Sequence, residues 1–142
     1  EEIDLCWRAN NIGSEVFCIG DSKVYHLGGA SLPESPLKVF YNYRNSTYML
    51  LKNVPALQLP FILCSRLLLD GVAGVRFLLK GELRNCLSIL KAHAYMYFNF
   101  FKMLGKRSSK KPKNRYFRLN SIIFQYFILK KSKFFDLRFS KS

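Results

Sequence analysis

The sequence predicts a mostly α-helical chain that carries one short pair of β-strands near its amino end. Apolar residues recur at helical intervals over most of the chain from Pro36 to Leu104. Two short runs rich in β-branched and aromatic residues, 15–19 and 23–27, are separated by the turn-forming segment 20–22. A hydrophobic content of 49% and an aromatic content of 15% argue against a disordered chain.

The net charge of +14 is distributed unevenly along the chain. Residues 1–35 hold six acids and two bases, whereas residues 36–142 hold 21 bases and three acids, a balance of +18. An acidic amino-terminal region followed by a basic, apolar remainder indicates that the two regions have different roles. The four cysteines show no C-x-x-C spacing, which argues against a zinc or redox motif and favours reduced thiols in a cytosolic setting.

An amphipathic helix is predicted from residue 1 to about residue 11, with Gly13 as the left-handed residue that closes it. Three acids, Glu1, Glu2 and Asp4, lie in its first turn. Acids at this position complement the positive end of the helix dipole, which is a purely structural explanation for them.

A second helix is predicted from Pro36 to about Asn53. Ser35 suits the N-cap, and proline is favoured at the first helical position. Arg44 lies on this helix, where an arginine is ordinarily solvated.

Segments 55–80 and 82–104 are predicted to form two amphipathic helices, each with a wide apolar side and a narrow polar or basic one. Neither contains an apolar run long enough to cross a membrane. Their pattern favours helices that lie in a membrane interface, and burial in a protein core is the alternative. Arg66 and Asp70 are spaced to form an ion pair. His93 is expected to be a hydrogen-bonded packing residue rather than a metal ligand.

The remaining residues form a basic segment, 106–118, and a tail whose apolar part, 122–129, fits helix and strand equally well. Basic segments beside apolar helices attract anionic lipid headgroups. The predicted organisation has three parts: 1–54, 55–105, and 106–142.

Two sequence segments, E-E-I-D-L-C-W-R at 1–8 and Y-H-L-G-G at 25–29, together resemble the C-terminal part of family 2 glycosyltransferases of the bacterial, rhamnosyltransferase-like type. The resemblance covers roughly the first 55 residues. It implies an α/β parent with the GT-A fold, a Rossmann-like nucleotide-diphospho-sugar transferase. This chain would be the mostly α-helical C-terminal part of that parent, with a short β pair.

The resemblance also implies a reaction and its residues. An inverting sugar transfer in polysaccharide biosynthesis would move a sugar from a nucleotide donor to a lipid-linked or cell-surface glycan acceptor. Such a reaction needs a carboxylate base and positive charge at the leaving diphosphate. The implied catalytic residues are Glu2, Asp4 and Glu1; the implied diphosphate-binding residues are Arg8, Arg44, Gly28 and Gly29; and the implied metal ligand is His26.

The implied cofactor is a divalent metal, Mg or Mn, in the complete enzyme. No D-x-D motif or phosphate-cradling glycine loop occurs in the sequence, so we expect the isolated chain to bind no metal and to be inactive.

Two further functions compete with a transferase. The first is a non-enzymatic basic protein that binds a membrane surface. The second is a nucleic-acid binder, which the charge allows. No recognised nucleic-acid motif appears, so no specific nucleic-acid partner is expected. Whether it is a transferase or a membrane-surface protein, we expect the chain to be cytoplasmic and peripheral to the inner face of the cell membrane.

Overall fold

The computed structural model describes residues 2–17, 19–25, 35–107, 122 and 124–137. The chain divides into two compact units, one comprising Glu1–Val16 with Lys110–Ser142 and the other Phe17–Ser109. Every regular element in the described ranges is helical, and these ranges contain no strand. The fold is therefore that of a small all-helical protein. The prediction of an α/β GT-A fragment with a β pair is wrong.

The two predicted strands, 15–19 and 23–27, form no ladder in the residues that are described. The predicted turn between them is present, since the backbone N–H of Ser22 donates to the carbonyl of Ile19 at 3.1 Å. The apolar side chains that would cover a hairpin are exposed instead: Val16, Phe17, Ile19, Val24 and Tyr25. A two-stranded hairpin is marginal in water without a third strand or a helix against its apolar face.

The first unit begins with helix α1, Glu2–Asn11. Gly13 has a φ of 88°, and the N–H of Ser14 donates to the carbonyl of Ala9 at 3.0 Å. This geometry is a Schellman motif, which requires a left-handed residue and therefore favours glycine. The predicted helix and its closing glycine are confirmed.

The carboxyl-terminal part of the same unit contains two short helical turns. One is a π-helical turn at Phe124–Ile128, and the other is a 3₁₀ turn at Phe134–Asp136. The apolar part of the tail is thus helical rather than extended over these residues. Of the predicted basic segment 106–118, only Lys106 and Arg107 lie among the described residues.

The second unit begins its helices with α2, Pro36–Asn53. The Oγ of Ser35 accepts a hydrogen bond from the backbone N–H of Lys38 at 3.3 Å, which confirms the predicted N-cap. At the other end, the guanidinium of Arg107 donates to the carbonyls of Leu51 and Val54. These bonds satisfy carbonyls that have no partner within the helix and place a positive charge at the negative end of its dipole.

Three more helices follow: α3, Leu59–Leu79; α4, Leu83–Phe98; and α5, Phe100–Leu104. Gly81, with a φ of 74°, allows the tight reversal between α3 and α4, and the N–H of Glu82 donates to the carbonyl of Phe77 at 2.9 Å. The predicted single helix from 82 to 104 is interrupted at Asn99.

The core of this unit is small. Helix α2 packs mainly against α4, and α3 contacts both. The buried apolar side chains are Phe40, Leu51, Val54, Leu59, Ile89, Ala92, Met96 and Met103. The buried hydroxyl of Thr47 donates to carbonyls of its own helix, so it is satisfied. A core of this size occupies one side of α3 and α4 and leaves their other sides in contact with solvent.

Candidate functional site

Helices α3 and α4 expose a broad apolar surface. This apolar face comprises Phe61, Leu68, Val72, Val75 and Leu79 of α3, with Leu83, Leu87, Leu90, Tyr97 and Phe98 of α4. Phe61 is 76% exposed, Val72 68% and Leu79 85%. Successive members are spaced by three, four or seven residues, except for the adjacent Tyr97 and Phe98, so they form a stripe along each helix. Contiguous exposed apolar surfaces of this kind mark interaction sites.

A groove of about 400 Å³ lies between α3 and α4 within the apolar face. Two small residues of α3, Gly71 and Gly74, line it. A Cβ on Gly71 would meet no atom within 4 Å, and one on Gly74 would lie 3.8 Å from the Sγ of Cys86. A Cβ at either position would therefore fit without displacing a neighbour.

Basic side chains border the apolar face. The exposed bases on and beside these helices are Arg76, Lys80, Arg84 and Lys91. In residues 36–107 the acids are Asp70 and Glu82. Asp70 is buried, and a carboxylate oxygen of Glu82 accepts a hydrogen bond from the Nδ2 of Asn85 at 2.7 Å. The surface around the apolar face is therefore strongly positive.

Arg66, Asp70 and His93 form a polar cluster inside the same unit. The Asp70 side chain is 3% exposed, with Oδ1 2.7 Å from the Nε of Arg66 and Oδ2 3.1 Å from the Nε2 of His93. The N–H of Arg66 does not point at the carboxylate, so this contact is an ion pair rather than an aligned hydrogen bond. The predicted pairing of Arg66 with Asp70 and the hydrogen-bonded role of His93 are confirmed.

Tyr43 of α2 completes this buried cluster. The guanidinium of Arg66 lies 5.4 Å from the centre of the Tyr43 ring. Burial raises the pKa of the Tyr43 phenol above its ordinary 10.0; the charge of Asp70 raises it further, and Arg66 opposes both. Tyr43 is therefore a neutral group at physiological pH. Because the charges are paired with one another, we assign the cluster a structural role that joins α2, α3 and α4.

A second cluster combines cations with aromatic rings on α2 and α4. The guanidinium carbon of Arg44 lies 4.7 Å from the centre of the Tyr41 ring, 5.2 Å from that of Phe40 and 5.8 Å from that of Tyr48. Two nitrogens of Arg44, Nε and Nη2, donate to the Oδ1 of Asn45 at 3.1 and 2.9 Å. Arg44 is thus held in place by rings and an amide rather than by a carboxylate.

Helix α4 adds a second cation to this cluster. The Nζ of Lys91 lies 5.5 Å from the centre of the Phe40 ring, and the Tyr95 ring packs edge-on against Phe40 at 5.3 Å between centroids. The hydroxyl of Tyr48 donates to the carbonyl of Tyr95 at 3.1 Å, which ties the two helices together. We call these residues the Arg44–Lys91 cluster: Phe40, Tyr41, Arg44, Tyr48, Lys91 and Tyr95. No described carboxylate forms an ion pair with either cation.

Two of the three predicted catalytic acids, Glu2 and Asp4, lie at the start of α1. The Nε of Arg8 donates to the Oδ2 of Asp4 at 3.2 Å, so Arg8 orients that carboxylate. Glu2 lines a shallow groove of about 520 Å³ together with Trp7. The other predicted site residues of the amino-terminal region lie outside the described residues: Glu1, His26, Gly28 and Gly29. Catalytic and diphosphate-binding roles for this set remain predictions.

In the described part of the chain, no three His, Cys, Asp or Glu side chains are grouped so that they could hold a metal ion. The Mg or Mn site predicted for the complete enzyme remains a prediction. Within the same ranges, no helix combines the length and the apolar character that a membrane crossing requires. Comparisons with protein-family models, curated proteins and solved structures found no match. The function must therefore be argued from the site itself.

Sequence reasoning named Arg44 as a diphosphate-binding candidate but missed the rest of the Arg44–Lys91 cluster, although a signal for it exists. Phe40 and Arg44 are four residues apart, and so are Lys91 and Tyr95. Residues at this spacing are neighbours on a helix surface, so each helix presents one aromatic ring beside one cation. The contact between the two pairs depends on how α2 packs against α4, which the spacing does not specify.

Proposed function

We propose that the chain binds the anionic surface of a membrane peripherally, at the inner face of the cell membrane, through the apolar face of α3 and α4. The observation that carries this proposal is the exposed apolar face bordered by bases, with Glu82 as the one exposed or half-exposed acid in residues 36–107. A helix surface that is apolar at its centre and basic at its edge suits the boundary between headgroups and acyl chains.

Two physical contributions support binding. Apolar side chains that leave water contribute roughly 25 cal/mol for each Å² that becomes buried. A base near an anionic leaflet contributes about 1 kcal/mol. Pairing of two copies through this face is less favourable, because the bordering bases of both copies would approach each other.

The proposal is tested by co-sedimentation of the full chain with vesicles of phosphatidylcholine and phosphatidylglycerol. The triple variant Phe61→Gln/Val72→Gln/Leu79→Gln replaces the first, middle and last residues of the α3 stripe. We expect its vesicle affinity to fall at least about tenfold, because each substitution removes apolar surface that would enter the lipid.

The matched control is Phe17→Gln/Val24→Gln/Tyr25→Gln, which replaces three exposed side chains outside the helices of the same unit. This control should bind as the original chain does. An equal loss of vesicle affinity in the two triple variants, or no loss in either, would contradict a role for the apolar face. Far-UV circular dichroism confirms that both variants keep their helices.

A glycosyltransferase function remains a prediction from sequence resemblance. The α/β fold that the resemblance implied is not the fold of the described residues. Transfer of sugar from a nucleotide donor is the measurement that bears on this prediction.

A further inference from the structure

The Arg44–Lys91 cluster concentrates positive charge at one aromatic ring. Both cations lie within 5.5 Å of the centre of Phe40. Neither has an ion-pair partner among the described carboxylates. The rings compensate for this charge only partly, since a cation–π contact is weaker than a desolvated ion pair. The cluster is therefore electrostatically unsatisfied.

The cluster also lies beside the apolar face. Lys91 follows Leu87 by four residues and Leu90 by one, so it lies at the edge of the α4 stripe. Tyr95 is one turn further along the same edge, and its ring packs against Phe40 of α2. If α3 and α4 enter the boundary of a lipid layer, this edge lies at the level of the headgroups, where tyrosine and lysine are favourable.

We propose that the Arg44–Lys91 cluster binds the phosphomonoester headgroup of a membrane lipid. The inference rests on the proposed membrane function and names the lipid class that the surface would select. A phosphomonoester carries a charge of about −1.5 to −2 at pH 7. Two unpaired cations match that charge, whereas a phosphodiester headgroup offers one negative charge on its phosphate.

The donors of the cluster suit the terminal oxygens of a phosphate. A guanidinium has about five N–H donors, and Arg44 directs two nitrogens to Asn45, so further donors remain. The ammonium of Lys91 supplies more. The Tyr48 hydroxyl is already directed to the carbonyl of Tyr95 and fixes the spacing of the two helices. Because Arg44 lies over the Tyr41 ring and is hydrogen-bonded to Asn45, little side-chain freedom is lost when an anion binds.

The test compares vesicles that contain phosphatidic acid, a phosphomonoester, with vesicles that contain phosphatidylglycerol at the same total negative charge. We expect the full chain to bind the phosphatidic acid vesicles about fivefold more tightly, the effect of one additional favourable charge contact. Arg44→Gln and Lys91→Gln should each bring this ratio close to one. Arg44→Lys should keep part of the preference, because it keeps the charge but loses the planar fork.

The matched control is Arg76→Gln, which removes one exposed positive charge from the border of the apolar face but not from the cluster. It should weaken binding to both kinds of vesicle and leave the ratio unchanged. A ratio of one for the original chain, or a ratio lowered as much by Arg76→Gln as by Arg44→Gln, would overturn the inference. Circular dichroism of each variant separates these results from loss of the fold.

Two further arms identify the source of the phosphate. Glycerol phosphate, a soluble phosphomonoester, should compete only weakly, because it lacks acyl chains; competition at micromolar concentration would assign the cluster to a free metabolite instead. Displacement of phosphatidic acid vesicles by a single-stranded oligonucleotide from the original chain, but not from Arg44→Gln, would assign the cluster to nucleic acid.

If the chain binds no vesicle at all, both proposals fail. Equal binding to both vesicles removes only the headgroup inference.

Discussion

At the scale of single residues, Asp70 determines how α3 is oriented. A buried carboxylate is costly unless it is paired, and Asp70 has both Arg66 and His93 within 3.1 Å. These partners are available only on the side of α3 that faces α4 and α2. Once Asp70 faces inward, the residues on the opposite side of the helix must face solvent, and these are the apolar ones.

Replacement of Asp70 by Asn should therefore lower the free energy of unfolding by about 2–3 kcal/mol. The amide keeps the shape of the side chain but leaves the guanidinium of Arg66 without a counter-charge and His93 without its carboxylate partner. The figure is below that for a fully buried pair because the Arg66 side chain is 31% exposed. Urea unfolding followed by circular dichroism measures this change in the free energy of unfolding. Asp21→Asn, at an exposed turn, should change stability by less than about 0.5 kcal/mol. Equal effects of the two substitutions would show that the cluster does not stabilise the unit.

At the scale of secondary-structure elements, local signals predicted the helix ends well and the strands poorly. Ser35 and Gly13 specify helix boundaries through bonds to backbone groups within a few residues, so no distant part of the chain is needed. A pair of strands is stable only when another element of the chain covers its apolar side. Val24 and Tyr25 have the right side chains for a strand, yet no described element covers them.

Two glycines of the second unit should respond in opposite ways to alanine. Gly71 lies within α3, and an added Cβ there meets nothing within 4 Å, so Gly71→Ala should stabilise the chain by about 1 kcal/mol through helix propensity. Gly81 has a φ of 74°, so Gly81→Ala should destabilise it by about 1 kcal/mol although space is available. Thermal unfolding of the two variants gives the signs. The same sign for both would contradict the assigned turn between α3 and α4.

At the scale of the whole molecule, hydrophobic periodicity identified two amphipathic helices but not the side that each turns inward. By helical spacing, Arg66, Asp70 and Arg76 all fall on the narrow polar side of the predicted helix 55–80. In the structure Arg66 is half-buried and Asp70 is buried, whereas Arg76 remains exposed. Periodicity measures only the contrast between two sides of a helix. The inward side depends on partners such as His93, whose position follows from the packing of three helices.

The apolar face is formed by helices that are already packed, so binding to lipid should not require folding. We expect the far-UV circular dichroism of the chain to change little when vesicles are added, unlike that of an amphipathic segment that folds on binding. A large increase in helical signal would show that the face does not exist before binding.

The salt dependence of vesicle binding separates the contribution of the bordering bases from that of the apolar face. Because the Debye length shortens from about 10 Å at 0.1 M to about 3 Å at 1 M salt, the attraction between the bordering bases and an anionic leaflet should be largely lost at high salt. Insertion of the apolar face is not screened, so the original chain should keep residual vesicle binding at about 1 M salt. The variant Phe61→Gln/Val72→Gln/Leu79→Gln lacks that contribution and should be released completely, which co-sedimentation at both salt concentrations detects. Complete release of the original chain as well would mean that charge alone holds it to the vesicle and that the apolar face has another partner.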